Sequence, residues 1–436
     1  MGKEKVNIFW FRRDLRLQDN RGLYHALKSE FPVLPVFIFD TNILNDLKDK
    51  KDARVSFLRE ELSKINEDLK SKNSGLKTFY TSPKQAFKAL QHDYDVQTVY
   101  ANHDYEPYAK ERDEEIEELL NDRGVDFKTF KDQVIFEKGE VVKDDGTPYL
   151  VYTPYSKKWL SSLTDEDLES YTSGLQFENW LKMDSQEIIS LEEMGFEQSD
   201  IKIPSKNLTD HTIEVYEAER NFPTKDSTSR LGIHLRFGTV SIRETARQAE
   251  GHENITFLKE LIWREFFMCI LHHYPKVVDH NFNKKYDAIK WRNNEADFKK
   301  WCAGKTGYPL VDAGMRELNE TGFMHNRVRM LVASFLCKHL LIDWKWGEAY
   351  FAEKLLDYEL SSNNGNWQWA AGTGVDAAPY FRIFNPSTQI DRFDKNKSYI
   401  KQWVEEFGTD DYPDEMVEHK PARERALEVY KTAVAQ

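Results

Sequence analysis

The chain has 436 residues, more than a single hydrophobic core usually serves, so two or three domains are expected. Its 40% hydrophobic and 31% charged composition describes a soluble globular protein and excludes disordered and membrane-spanning classes, while aromatics are abundant at 13%, with 11 tryptophans. The net charge of −13 argues against general nucleic-acid binding but leaves room for a local basic patch, for which Arg220, Arg327, Arg382 and Arg392 are the candidates.

Val6 to Phe11 and Val33 to Phe39 are short apolar runs suited to buried parallel strands. Val55, Leu58, Leu62, Ile65 and Leu69 recur at intervals of three and four and predict an amphipathic helix. Val96 to Ala101 reads as another strand, followed by a charged helix from Tyr105 to about Asp122. This alternation predicts an open parallel sheet with helices on both faces, a Rossmann-like α/β domain over residues 1–136. Phe11-Arg12-Arg13-Asp14-Leu15-Arg16 stands where a glycine-rich dinucleotide fingerprint would follow the first strand.

Residues 137–210 are polar and loop-rich and read as a connector over the surface. From Tyr216 onward the spacing is helical almost throughout, giving an all-α domain over 211–436. Cys269, Cys302 and Cys337 lie in apolar or helical surroundings without metal-ligand spacing. The N-terminus passes straight into Val6 to Phe11 without a charged leader followed by a long apolar stretch, and no run approaches a membrane span, so a cytoplasmic protein without membrane or metal partners is expected.

Four motifs in the helical part carry chemistry. Thr228-Ser229-Arg230-Leu231-Gly232 precedes a helical run and offers hydroxyls and N–H groups to a phosphate or, more plainly, to a helix cap. Glu260, Trp263 and Arg264 share one helical face, as an ion pair beside a packed indole would. Asn326, Arg329 and Met330 share another, with Arg327 pointing elsewhere. In Asn363-Asn364-Gly365-Asn366-Trp367-Gln368-Trp369 the two tryptophans cannot share a face and must serve different environments.

Taken together, Glu260-Leu-Ile-Trp-Arg-Glu-Phe, Met324-His-Asn-Arg, the Trp367/Trp369 motif and Asp376-Ala-Ala-Pro-Tyr-Phe-Arg resemble the photolyase/cryptochrome family, most of all its bacterial class I cyclobutane pyrimidine dimer photolyases. The resemblance implies light-driven DNA repair by fully reduced, anionic FAD. It implies cofactor contacts at Tyr216, Thr228, Ser229, Arg230, Leu231, Gly232, Arg264, Arg329, Asp357, Glu359 and Asn363. Relatives have Ser at Gly232 and Asp at Glu359. Trp367, Trp344 and Trp291 match an electron-transfer chain, and Trp346 has no assigned role. Glu260, Trp263, Asn326, Met330 and Trp369 match lesion contacts, and Arg220, Arg327 and Gln389 match contacts to the flanking DNA backbone. The implied partner is ultraviolet-damaged DNA, bound by a monomer without regard to sequence.

Asn363 matches the residue facing flavin N5, where plant-type cryptochromes carry Asp; a neutral amide has no acidic proton to give. Photolyases for (6-4) photoproducts carry His where Asn326 stands, which favours cyclobutane dimers. A light-harvesting antenna in the first domain is also implied. Folate-binding relatives place Asn-Glu where this chain has Tyr108-Ala109, which argues against methenyltetrahydrofolate and leaves a deazaflavin, a second flavin or an empty site. The rival readings are a signalling cryptochrome, against which Asn363, the Trp263/Trp369 pair and the chain end at Gln436 all count, and an α/β nucleotide-binding enzyme with a helical lid.

Overall fold

Side-chain alternation along the first strand sends Val6, Ile8 and Trp10 into one apolar layer and Phe9 and Phe11 into the other. The structure, a computed structural model, describes residues 2–435 and divides into two units. One comprises the chain up to Glu137, Ser162–Lys206 and Arg230–Gly251; the other comprises Lys138–Ser161, Asn207–Ser229 and the chain from His252 onward. Among the described residues no helix is long and apolar enough to cross a membrane.

The first unit holds strands β1 (Lys5–Phe11), β2 (Val33–Asp40), β3 (Lys77–Thr81), β4 (Asp95–Asn102) and β5 (Asp126–Phe130), all parallel, in the order β3-β2-β1-β4-β5. The Ala53–Lys70 helix covers one face through Val55, Leu62, Ile65 and Leu69. Pro83–Asp93 and Pro107–Asn121 cover the other through Phe87, Leu90, Ile116 and Leu120. This is the α/β architecture expected. The edge strands β3 and β5 escape a sequence reading because their half-exposed Lys-Thr-Phe-Tyr-Thr and Asp-Phe-Lys-Thr-Phe runs carry no sustained apolar signal.

Strand order reverses between β1 and β4, the crevice where open α/β sheets bind ligands. Here the chain fills it with its own polar groups. Asp14 accepts from the Arg12 backbone N–H at 2.7 Å and from Asn102 Nδ2 at 2.6 Å, and Asn102 Oδ1 accepts from Gly22 N at 2.9 Å. Gly238 crosses so close that a Cβ would lie 2.2 Å from the Arg13 carbonyl oxygen, and its φ of +66° is one glycine adopts freely.

The segment 137–210, read as a surface connector, is shared between the units. Lys138–Ser161 joins the helical one. Ser162–Lys206 packs as irregular chain on the sheet, where Trp180 bridges to Val33 and Leu191, Met194 and Phe196 enter the core. Arg230–Gly251, read as part of the helical domain, also joins the sheet unit: buried Arg243 pairs with Asp19 and with Asp132, both at 2.8 Å. Helical spacing identifies helices, not the layer on which each one packs.

The helical unit is built around Trp301, Trp344, Trp367, Phe335 and Phe351. Within it the turns Phe335–His339 form a π-helix following the Asn326–Ser334 α-helix.

Candidate functional site

In the helical unit the Thr256–His273 helix carries Glu260, Trp263 and Arg264, and the Leu360–Ala371 helix carries Asn363, Trp367 and Trp369. Glycine lets them approach. A Cβ on Gly365 would lie 2.1 Å from Phe267; on a third helix, Trp344–Lys354, one on Gly347 would lie 2.1 Å from the Trp367 ring. Trp367 is buried, edge-on to Phe351 at 4.9 Å and to Trp301 at 6.2 Å. Trp369 remains partly exposed at the margin of the same core, so the two indoles do meet different surroundings. Trp344 is buried and donates from Nε1 to Asn281 at 2.8 Å, whereas Trp291 lies at the core's edge, T-shaped on Tyr430 at 6.0 Å.

Charged groups are fixed in pairs. Arg329 forks onto Asp357 with both terminal nitrogens, at 3.1 and 2.9 Å, and its Nε donates to the Met324 carbonyl. Arg264 reaches Glu359 at 3.0 Å, and Ser362 donates to the other Glu359 oxygen at 3.1 Å. Asn363 donates from Nδ2 to the Glu348 carboxyl at 2.8 Å and to the Glu348 carbonyl at 3.0 Å. Burial raises the pKa of Glu348 above the usual carboxylate range.

A second constellation gathers Tyr216, Arg220, Glu260 and Trp263. Arg220 pairs with Glu260 and lies 5.5 Å over the Tyr216 ring, which meets Phe257 edge-on. Trp263 is half-buried, its ring stacked 3.6 Å from that of Tyr152 at 6°. Arg327 bonds Asn221 and lies 4.4 Å over Phe393. Burial and then the neighbouring charges of Arg392, Arg220 and Arg382 lower its pKa. Arg392 also lies over Phe393, at 5.2 Å, so two of the candidate basic residues share one ring in a chain whose total charge is −13. Asn326 is exposed on the same helix, with Met330 half-buried, and Gln389 is half-buried on the Pro386–Phe393 helix.

The Thr228–Gly232 loop runs across the division of the chain. Thr228 and Ser229 belong to the helical unit and are half-buried. Arg230, Leu231 and Gly232 belong to the sheet unit, with Arg230 at φ +50° and Gly232 opening the Gly232–Phe237 helix. In the sheet unit Tyr108 bonds Asp40, and Asn42 donates to its hydroxyl at 3.2 Å.

Sequence reasoning missed Tyr152 and Glu348. Tyr152 sits in a stretch read as connector, where an aromatic ahead of Thr-Pro at a helix start was the only hint. Glu348 lies on the charged-looking Trp344–Lys354 helix and carries no periodic signal of burial.

Comparison with known proteins points to one family. The DNA photolyase family model matches residues 7–172, and the FAD binding domain of DNA photolyase matches 257–409. A deoxyribodipyrimidine photo-lyase of Halobacterium salinarum is 36% identical over 98% of this chain and 99% of its own. A class III photolyase structure from Agrobacterium tumefaciens matches with a TM-score of 0.88 at 32% identity, covering 100% of this chain and 99% of that one. An archaeal photolyase from Sulfolobus tokodaii, solved with two FAD molecules, matches with a TM-score of 0.85 at 33% identity over 98% and 100%. Matched by the family's models in both units and by relatives along nearly its whole length, the chain belongs to the DNA photolyase family.

Proposed function

We propose that this protein uses blue or near-ultraviolet light to split cyclobutane pyrimidine dimers in DNA, with FAD held by the helical unit. FAD fits the donors there. The hydroxyls of Ser227 and Ser361 are buried and find no hydrogen-bond partner among the described residues, and Thr228 and Ser229 directly follow Ser227. Tyr216 adds an aromatic face, and Arg264, Arg329, Asp357 and Glu359 add charges held in fixed pairs. Held by these residues and fully reduced, the flavin would supply the photoexcited electron-donor chemistry that dimer splitting needs.

The observation that carries the DNA reading is the pair of guanidinium groups of Arg327 and Arg392 over one Phe393 ring, with Arg220 and Arg382 near enough to lower the pKa of Arg327. Mutual repulsion of this kind is relieved by an anionic partner. Arg220 and Arg327 neutralise phosphates beside the lesion, and with Gln389 they position the duplex without reading its sequence. The damaged pair leaves the base stack, the route photolyases share with glycosylases and methyltransferases. Trp263 and Trp369 then stack against it, Glu260 and Asn326 hydrogen-bond its polar edges, and Met330 packs beside it. Trp291, Trp344 and Trp367 relay electrons inward and keep the cofactor reduced. Asn363, with its amide committed to Glu348, withholds an acidic proton from flavin N5 and so favours the reduced anion. In the sheet unit, Tyr108 is tied to Asp40 where folate-binding relatives carry Asn. A flavin or deazaflavin antenna is compatible with that change, and the absorbance of chromophores released from the purified protein identifies which one is present.

The decisive experiment is blue-light repair by chemically reduced protein on two oligonucleotides, one carrying a cyclobutane thymine dimer and one a (6-4) product. Recovery of the first alone supports the proposal. Recovery of the second alone moves the lesion type, and repair of neither with a photoactive flavin bound makes the protein a light-signalling member of the family.

A further inference from the structure

The one strong aromatic contact of the lesion constellation that the proposed mechanism leaves unused is the stack of Tyr152 on Trp263. Aromatic pairs ordinarily settle with centroids roughly 4.5–7 Å apart, offset or edge-to-face. Here the centroids lie 3.6 Å apart with the planes within 6°, a nearly complete overlay. Trp263 is further bordered by Phe266 at 5.6 Å, edge-on, and Phe267 at 5.6 Å. Tyr152 itself is 9% exposed, whereas Trp263 remains half-buried. One indole face is therefore backed by a ring that is itself enclosed.

Three tethers hold that ring. Its hydroxyl donates to the Lys259 carbonyl at 2.7 Å, one residue before Glu260. Its backbone N–H donates to Asp376 Oδ2 at 3.1 Å, at the start of the Tyr152–Ser162 helix. The same helix docks on Thr256–His273 through Trp159 Nε1, which donates to Glu265 at 2.5 Å, and through Tyr155, 5.2 Å from Phe266. Asp376 adopts a φ of +47°, in the left-handed region that non-glycine residues occupy at a cost. A strained residue persists where its surroundings require it, and here its carboxylate holds the turn that presents Tyr152.

We propose that Tyr152 is a positioning residue for lesion recognition: tethered through Lys259 and Asp376, it fixes the plane of Trp263 so that a damaged pyrimidine pair meets a preset stacking surface. The inference rests on the assignment of Trp263 to the lesion pocket. An indole free to turn about its side-chain bonds would have to be ordered by each incoming lesion, at a cost in affinity. Tyr152 bears that ordering in the free protein. Its own partners are Lys259, Asp376 and Trp263, so its effect is expected on damaged DNA, where Trp263 stacks.

The test compares Tyr152→Leu and Tyr152→Phe with wild type in three measurements: bound flavin by absorbance, affinity for a duplex with and without one cyclobutane thymine dimer, and repair rate at saturating damaged duplex. Tyr152→Leu is expected to weaken binding of the damaged duplex about tenfold, part of the worth of a base–aromatic stack, and to leave undamaged duplex binding unchanged. Tyr152→Phe keeps the stacked ring but loses the Lys259 tether, and is expected to regain discrimination only in part. Unaltered discrimination in Tyr152→Leu overturns the proposal, as does an equal loss for both duplexes, which marks a general structural role. Should Tyr152→Leu fail to hold flavin, Tyr152→Val also removes the ring, and discrimination equal to wild type in that variant overturns the proposal as well. Wild-type protein that neither prefers nor repairs the dimer removes the lesion reading first, and this proposal with it; full wild-type activity alongside an indifferent Tyr152→Leu removes this proposal alone.

Discussion

Arg327 is held partly buried among other guanidinium groups, with Asn221 its side-chain hydrogen-bond partner and Phe393 beneath it. A cation kept at such a disadvantage gains when a phosphate arrives. Arg327→Ala should weaken binding to any duplex and reduce the slope of log affinity against log salt by about 1, measured by titration at several ionic strengths. An unchanged slope would remove Arg327 from the DNA contacts. Trp344 offers a separable test. Phenylalanine keeps its volume but is far harder to oxidise, so Trp344→Phe should slow photoreduction of oxidised flavin by about tenfold or more. Repair by chemically reduced protein should remain nearly intact; equal loss of both would contradict a relay role. Of these residues, the arginines and tryptophans could be singled out in the sequence only because they stand in motifs that resemble the family's; residue type and spacing alone would have read the tryptophans as core packing. The Arg220–Glu260 and Asn363–Glu348 contacts were not, because pairing across 40 or 15 residues leaves no local signature.

The Leu360–Ala371 helix shows how an unpromising sequence becomes a secure element. Its Asn-Asn-Gly run has poor intrinsic helicity, and tertiary packing supplies what propensity lacks. Because glycine at 347 makes room for Trp367, Gly347→Ala should force the ring aside at a cost of ~1–3 kcal/mol, read as a lowered denaturation midpoint with disturbed tryptophan fluorescence. At the other end, the Ala371 carbonyl accepts from Lys338 Nζ at 2.6 Å and from the Tyr430 hydroxyl at 2.9 Å, and Lys338 lies 3.6 Å over the Tyr430 ring. Burial lowers the Lys338 pKa from the usual 10.5 to about 7. Between those values the unfolded chain binds more protons than the folded one, so stability rises with pH across that window. Wild-type urea midpoints should therefore climb from pH 7 to 9, and Lys338→Met should flatten the climb. A climb that survives the substitution would assign it to another group. The π-helical turn that buries Lys338 was invisible in sequence, since a single inserted residue does not disturb a helical apolar pattern enough to be seen.

Net charge misled where it was averaged. A total of −13 spreads acidic residues over solvated helices, while the basic groups gather around Arg327, and binding responds to the local field rather than the sum. Fold class was legible from periodicity, because a parallel sheet with covering helices writes both of its repeats into the chain. The assignment of segments to units was not, because packing partners far apart in sequence share no pattern. Five times the backbone leaves one unit for the other, after Glu137, Ser161, Lys206, Ser229 and Gly251. That interleaving has a consequence for how the molecule is made and how it can be cut. On the ribosome, Asp19 and Asp132 must wait for Arg243 to emerge before their buried ion pairs can close, so the sheet unit stays unfinished until more than half of the protein has been synthesised. A gene divided at any single codon gives two pieces of which at least one lacks part of its core, and module exchange with a relative requires five seams instead of one.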